Sequence, residues 1–233
     1  MELLLISDIH ANYEALKTVL QIPHDRTICL GDIVDYGPDP DKCIDLLNMK
    51  VIPTTIGNHD HSVAFRVDCK CGNKYRHLSV ATREYTCKIL GKLRIDYLQK
   101  LPRLIKEEID GTKLYFTHAN PRSINEYIKP ETPDEEIWSM INEAIEPVDA
   151  EFLIVGHSHI PVNRKLRNLT IINPGSVGQP RDGDPRASCA IFDTETGNTE
   201  FIRFDYNTDA VCAKIEQRMP YAQELIDILK RGY

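Results

Sequence analysis

Glu2 to Asn12 reads ELLLISDIHAN, and this stretch decides the fold. The apolar run Leu3 to Ile6 is too short for a helix and does not alternate with polar residues, so it reads as a strand buried on both faces. Polar residues follow at once: Ser7, Asp8 and His10. Asn12 is placed to cap a helix, and Tyr13 to Leu20 has helical spacing. The design then repeats. Thr27 to Leu30 is a second strand running into Gly31-Asp32. After the turn at Pro38 to Pro40, Asp41 to Met49 is a second helix. Val51 to Ile56 is a third strand running into Gly57-Asn58-His59-Asp60. This order predicts a largely parallel sheet covered by helices, with ligands bound just beyond the strand ends.

The remainder reads more coarsely. Val63 to Leu98 is mostly helical and starts close enough to the third strand to line or roof a site. Leu101 to Ile109 and Lys113 to Phe116 flank Asp110-Gly111, a strong hairpin pair. Pro133 to Ile145 is helical. Glu151 to Val155, Leu169 to Ile172 and Ala187 to Phe192 are strands, and Asn198 to Phe204 closes a second hairpin around Glu195 to Asn198. Tyr221 to Leu229 is a terminal helix. The strand-rich second half points to a second sheet packed on the first. The expected architecture is a four-layer α-β-β-α sandwich of two mixed sheets, in one domain spanning residues 1–233.

Composition narrows the function. The 233 residues are 42% hydrophobic and 27% charged, as in ordinary globular proteins. The formal net charge of -7 argues against a stable nucleic-acid partner. No stretch approaches the roughly 18 apolar residues of a membrane span. Seven cysteines at irregular spacing point to free thiols and a cytoplasmic setting. Cys69 and Cys71 form one close pair, but a zinc knuckle needs two further ligands, so packed or surface thiols account better for them. A homo-oligomer is compatible with the sequence, which exposes no clear interface.

Five segments carry the chemistry: Asp8-Ile9-His10, Gly31-Asp32, Gly57-Asn58-His59-Asp60, His118, and Gly156-His157-Ser158-His159. Each is an apolar strand followed by residues of metal-ligand type. A buried carboxylate is costly unless paired or metal-bound, and five such strand ends are difficult to explain by packing alone. The donors are oxygen and nitrogen with no thiolate, which suits Mn, Fe, Zn, Co or Ni. Asp8 and His10 can bend toward one ion, as can His157 and His159. Asp32 could bridge two.

The segments SDIHAN, GDIVDYGP, GNHD, THA and GHSH, in this order, resemble the calcineurin-like metallophosphoesterase superfamily, and INPGSVGQPRDGD (Ile172 to Asp184) is similar to its prokaryotic small phosphodiesterase branch. The resemblance implies that Asp8, His10 and His159 bind one divalent ion, that Asn58, His118 and His157 bind a second, and that Asp32 bridges them. Manganese is the preferred metal, with Fe, Ni, Co or Zn as alternatives. It also implies attack by a hydroxide held between the ions, with His59 contacting the phosphate or protonating the leaving oxygen. Asp60 is expected to orient His59 or accept its second ring proton.

Departures from the family pattern refine the substrate. Protein phosphatases of the superfamily carry Asp-Arg-Gly where this chain has Asp35-Tyr36-Gly37, which lowers the expectation of a phosphoprotein. Tyr36 either stacks on a base or packs. Ala11 stands where the family often has Gly, and ordinary backbone angles are expected there. Arg181 and Arg186 lie in a Pro/Gly-rich loop and are candidates to contact phosphate, against surface pairing with Asp182 or Asp184. His24, His61 and His77 fit no ligand spacing. The leading function is hydrolysis of small phosphodiesters or nucleotide phosphoanhydrides. A phosphomonoesterase with the same metals is the alternative, and a noncatalytic scaffold is a third.

Overall fold

Both faces of β1 (Glu2–Ile6) are covered, as its unbroken apolar run requires. Leu3 and Leu5 belong to one apolar layer, Leu4 and Ile6 to another, and all four are fully buried. Burial of each such side chain contributes roughly 1.5–3 kcal/mol. The computed structural model describes residues 1–70 and 72–233. The described residues form two mixed sheets. In the first, β2 (Arg26–Cys29), β1, β8 (Ala187–Asp193) and β9 (Thr199–Phe204) lie side by side in that order. β1 and β2 are parallel, with Leu4 opposite Thr27, whereas β8 runs antiparallel to both β1 and β9.

The second sheet has the order β3 (Leu104–Ile109), β4 (Thr112–Thr117), β5 (Phe152–Ile154), β7 (Leu169–Pro174) and β6 (Pro161–Leu166). The β4–β5 and β5–β7 pairs are parallel, and the outer two pairs are antiparallel. Leu3, Leu5, Ile28 and Phe192 of the first sheet meet Leu114, Phe116, Ile154 and Ile172 of the second. On the first sheet's outer face, α1 (Tyr13–Val19) and α2 (Pro40–Met49) lay Leu16, Val19, Ile44 and Leu47 against Leu4 and Ile6. On the second sheet's outer face, α6 (Asp134–Asn142) packs Ile137 and Met140 against Tyr115, Leu153 and Ile171. The result is the expected α-β-β-α sandwich.

Several local expectations need correction. Val51 to Ile56 is not a full strand, because it makes one parallel bridge, Thr54 to Cys29. Pro53 has no N–H to donate and interrupts the ladder. The 63–98 region divides into α3 (Asn58–Phe65), a 3-10 turn (Asn73–Tyr75), α4 (Arg76–Ile89) and α5 (Lys92–Lys100). The strands β8 and β9 return to the first sheet rather than extending the second. Sequence reading also missed β6, whose PVNRKL is polar and partly exposed, and α7 (Thr208–Arg218). With α8 (Ala222–Arg231), α7 packs Val211, Ile215 and Leu225 near Tyr36 and Leu78. Among the described residues no helix is long and apolar enough to cross a membrane. Cys69 is buried with Sγ 2.9 Å from Ser79 Oγ. Cys71, its close sequence neighbour, lies outside the described residues.

Candidate metal centre

The loops after β1, β2, β4 and β5 and the N-terminus of α3 meet at one edge of the sandwich. They bring together Asp8, His10 and His159 as one triad and Asp32, His118 and His157 as another, each with its ligand atoms within 4.8 Å of one another. All six residues are buried.

Their hydrogen bonds fix which atoms face inward. His10 Nδ1 lies 3.0 Å from Val34 O, and His159 Nδ1 is bonded to Gln179 O. A carbonyl accepts only, so both Nδ1 atoms carry the ring proton and both Nε2 atoms present lone pairs. Those lone pairs face each other at 3.2 Å. Asp8 Oδ1, 3.3 Å from His159 Nε2, is buried with no hydrogen-bond partner. Three acceptors converging without a proton between them are unfavourable unless a cation sits there.

The second triad follows the same logic. His118 Nδ1 donates to Leu30 O at 2.7 Å, and its Nε2 lies 3.1 Å from Asn58 Oδ1 and 3.3 Å from Asp32 Oδ2. Asn58 turns its oxygen inward because its Nδ2 donates to Cys69 O at 3.0 Å. His157 Nε2 is held by Asn125 O at 3.2 Å, which leaves Nδ1 for the cluster. Asp32 joins the two triads. Its Oδ2 is 3.3 Å from His118 Nε2 and 3.7 Å from His10 Nε2, while its Oδ1 accepts the His59 backbone N–H at 2.9 Å.

Electrostatics agree with a cation site. Burial holds the rings of His10, His157 and His159 well below the usual imidazole range, so they are neutral donors. Burial would lower His118 as well, but the Asp32 and Asp8 carboxylates override it and raise the ring to about 9. The His118 proton occupies the place a metal would take. Burial pushes Asp8 up to about 6, with the Asp32 charge adding to the shift.

The backbone is bent for the purpose. Asp8, His10, Ala11, Asp32, Asp35, Tyr36, His157 and His159 all have φ between 45° and 66°, a region that costs an L-residue roughly 1–2 kcal/mol. Such strain persists at sites where geometry matters more than local stability. Ala11, expected at ordinary angles, has φ 53°. Its N–H donates to Ile33 O at 2.7 Å, and its carbonyl accepts from Asp39 N, so both sides of the peptide hold it there. Two glycines permit the close approach of the loops. A Cβ on Gly57 would stand 2.0 Å from Asp32 Oδ1, and one on Gly156 would stand 1.9 Å from Ser7 Oγ.

His59 lies beside the triads, and its Nδ1 is 2.9 Å from Asp35 Oδ2. The residue that orients it is therefore Asp35, not Asp60. Asp60 is the third residue of α3 and accepts from Gly57 N at 3.0 Å, Ile33 N at 2.8 Å and Val34 N at 3.3 Å. It fastens the start of α3 to the loop after β2, and burial, followed by the nearby Asp32 charge, raises it to about 7.

A cavity of about 260 Å³ opens above the triads, with Asp32, His59, His157 and His159 at its base and Tyr36, Tyr75, Tyr127, Lys74, Lys129 and Arg181 around it. Tyr36 is 3% exposed and packs against His10 and His59, with ring centroids 4.9 Å apart in each case. Packing is thus the better account of it than stacking on a base. Arg181 reaches the cavity, whereas Arg186 pairs with Asp184 at 2.7 Å and does not line it. His24, His61 and His77 engage Thr27, Phe65 and Glu224, away from the centre. Asp35, Tyr75 and Tyr127 escaped sequence reading. The Asp35 carboxylate had a signal, its place in GDIVD beside the bridging Asp32. The two tyrosines had none.

Residues 1–197 match the calcineurin-like phosphoesterase superfamily domain. The chain belongs to this superfamily. A metallophosphoesterase of Sphaerobacter thermophilus has a similar structure, with a TM-score of 0.79, 33% identity and coverage of 100% of this chain and 99% of that one. An uncharacterized protein of Methanocaldococcus jannaschii is 37% identical over 237 residues, covering 92% of each chain. The phosphodiesterase YfcE of Escherichia coli K12 is 23% identical over 199 residues, covering 84% of this chain and 89% of its own. Among calcineurin-like phosphoesterases, this one falls with the small prokaryotic members. The superfamily's donor set fits the two triads, down to a carboxylate shared between them.

Proposed function

We propose that this protein is a dinuclear metal-dependent phosphoesterase that hydrolyses small phosphodiesters or nucleotide phosphoanhydrides. The observation that carries the reading is the position of Asp32 Oδ2, within 3.3 Å of His118 Nε2 in one triad and 3.7 Å of His10 Nε2 in the other. One carboxylate oxygen set between two buried triads is the arrangement of a shared ligand. Asp8, His10 and His159 would hold one ion, and Asn58, His118 and His157 the other. The oxygen and nitrogen donors include no thiolate and suit first-row divalent ions, with manganese the proposed occupant and Fe, Ni, Co or Zn as alternatives. When bound, the two ions polarise phosphoryl oxygens and make water a nucleophile at neutral pH.

The chain's own groups do the rest. At the N-terminus of α3, which carries Asn58 and His59, the His59 N–H donates to Asp32 Oδ1 at 2.9 Å, so the positive end of the helix favours the ionised form of the shared carboxylate. Asp35 fixes the His59 ring through Nδ1, which leaves Nε2 to deliver a proton to the departing oxygen. A cytoplasmic setting is part of the proposal and is supported by the six described cysteines, all of them free thiols.

A panel of bis(p-nitrophenyl) phosphate and p-nitrophenyl phosphate, each with Mn, Fe, Co, Ni and Zn, tests the reading. The diester should be hydrolysed faster. A much faster monoester rate across several metals would make the protein a phosphomonoesterase, and hydrolysis of neither ester nor of a nucleotide phosphoanhydride would leave only a binding role.

A further inference from the structure

The chain has 35 acidic and 28 basic residues, and cations such as Arg26, Arg94, Arg122, Arg164 and Arg203 pair with carboxylates. Lys74, Lys129 and Arg181 stand out by their position. They converge on the cavity above the triads, and none has a carboxylate partner within 4.0 Å among the described residues.

Their placement is organised by aromatic rings. Arg181 Cζ lies 4.6 Å from the Tyr75 centroid and 5.8 Å from that of Tyr36. Its Nη2 donates to Gln179 Oε1 at 2.7 Å, and its Nε is buried with no partner. Lys74 Nζ lies over the same Tyr75 ring at 4.9 Å. Two cations on one ring repel each other, and an anion bound by both offsets that repulsion. On the other side, Lys129 Nζ is 5.4 Å from the Tyr127 ring, which stacks on His157 at 3.9 Å. The cations thus flank both triads. Arg181 stands toward His10 through Tyr36, and Lys129 stands toward His157 through Tyr127.

We propose that Lys74, Lys129 and Arg181 form a second anion subsite, and that the substrate carries a second phosphate group next to the one that reacts. The proposal rests on the phosphoesterase reading and narrows it to diphosphate-containing esters and anhydrides. Charge matching supports the choice. Two divalent ions, less Asp8, Asp32 and the attacking hydroxide, would leave a single positive charge, enough for the single negative charge of a simple diester. The three further cations are then available to a second phosphate. The cavity of about 260 Å³ encloses the phosphates and leaves the rest of the molecule outside its mouth.

The test is calorimetric binding of two non-reacting probes, methylenediphosphonate and orthophosphate, to metal-loaded protein, with metal content checked after each titration. The wild-type protein should bind the diphosphonate about tenfold more tightly, the sum of several exposed charge contacts. Lys74 and Lys129 are exposed, so the double variant Lys74→Ala/Lys129→Ala should fold normally by circular dichroism. Its preference for diphosphonate should largely disappear, and Arg181→Gln, examined separately, should move the same way. Equal affinities in the wild-type protein, an unchanged preference in the variants, or equal losses on both probes would overturn the subsite. If the preference is lost as expected but no phosphoester is hydrolysed with any metal, the subsite stands and the enzymatic reading fails.

Discussion

Asp35 Oδ2 lies 2.9 Å from His59 Nδ1, and both side chains are buried at the edge of the two triads. In the proposed reaction the pair makes the His59 ring a positioned proton donor, and His59 belongs to neither triad. His59→Ala should therefore retain metal and fold but lose about 10²–10⁴-fold in turnover on a substrate with a poor leaving group. The loss should shrink with p-nitrophenolate, which leaves without protonation. Equal losses on both substrates would show that His59 contacts phosphate instead. Asp35→Asn should give the same leaving-group dependence at smaller amplitude, and in the His59→Ala background it should add little.

Asp32 is the connection between the triads, so its removal should differ in kind. Asp32→Ala should lower metal content at both sites together, and turnover with it, measured on the same preparation. Loss of one ion with the other retained would show that Asp32 serves a single triad.

Metal loading should release protons. The metal-free His118 ring titrates near 9, above its usual 6.5, so protonation stabilises the empty fold. That stabilisation is present below pH 6.5 and is lost as the pH rises through about 9. A metal competes with this proton, and with the one on Asp8 below about 6. Affinity should therefore rise with pH up to about 9. Calorimetry near pH 8 in buffers of different ionisation heat should show net proton release. Identical heats in all buffers would contradict it.

Gly57→Ala tests the close approach of α3 to Asp32. A Cβ there would meet Asp32 Oδ1 at 2.0 Å and Asp32 N at 2.3 Å, so the carboxylate or the helix must shift. The expected cost is about 1–3 kcal/mol in denaturant unfolding, with reduced metal content. Unchanged stability and metal binding would mean that the loop yields freely.

Much of this was legible because the same residues serve local and global ends. Leu3 to Ile6 announces a strand covered on both faces, and Asp8, His10, Asp32 and Asn58 sit where strands end, so their convergence follows from the alternation of elements. What was not legible depends on contacts between distant segments. Ala11 gave no sign of its φ of 53° because the bonds that impose it come from Ile33 and Asp39. Asp60 and Asp35 are both acidic and both near His59, and only the folded loop after β2 shows which reaches the ring. The pairing of β8 with β1 joins residues from opposite ends of the chain, and no local pattern encodes it. Lys74 and Lys129 carry no local signal, and only the folded chain sets both around one cavity.

The central claim is that two ions held around Asp32 are required for phosphoester hydrolysis. The most direct measurement is turnover of bis(p-nitrophenyl) phosphate by chelator-treated protein as Mn is added in known equivalents. No hydrolysis is expected without metal, and a plateau is expected when both triads are filled. Hydrolysis that survives complete metal removal, or a plateau reached with a single ion per chain, would contradict it.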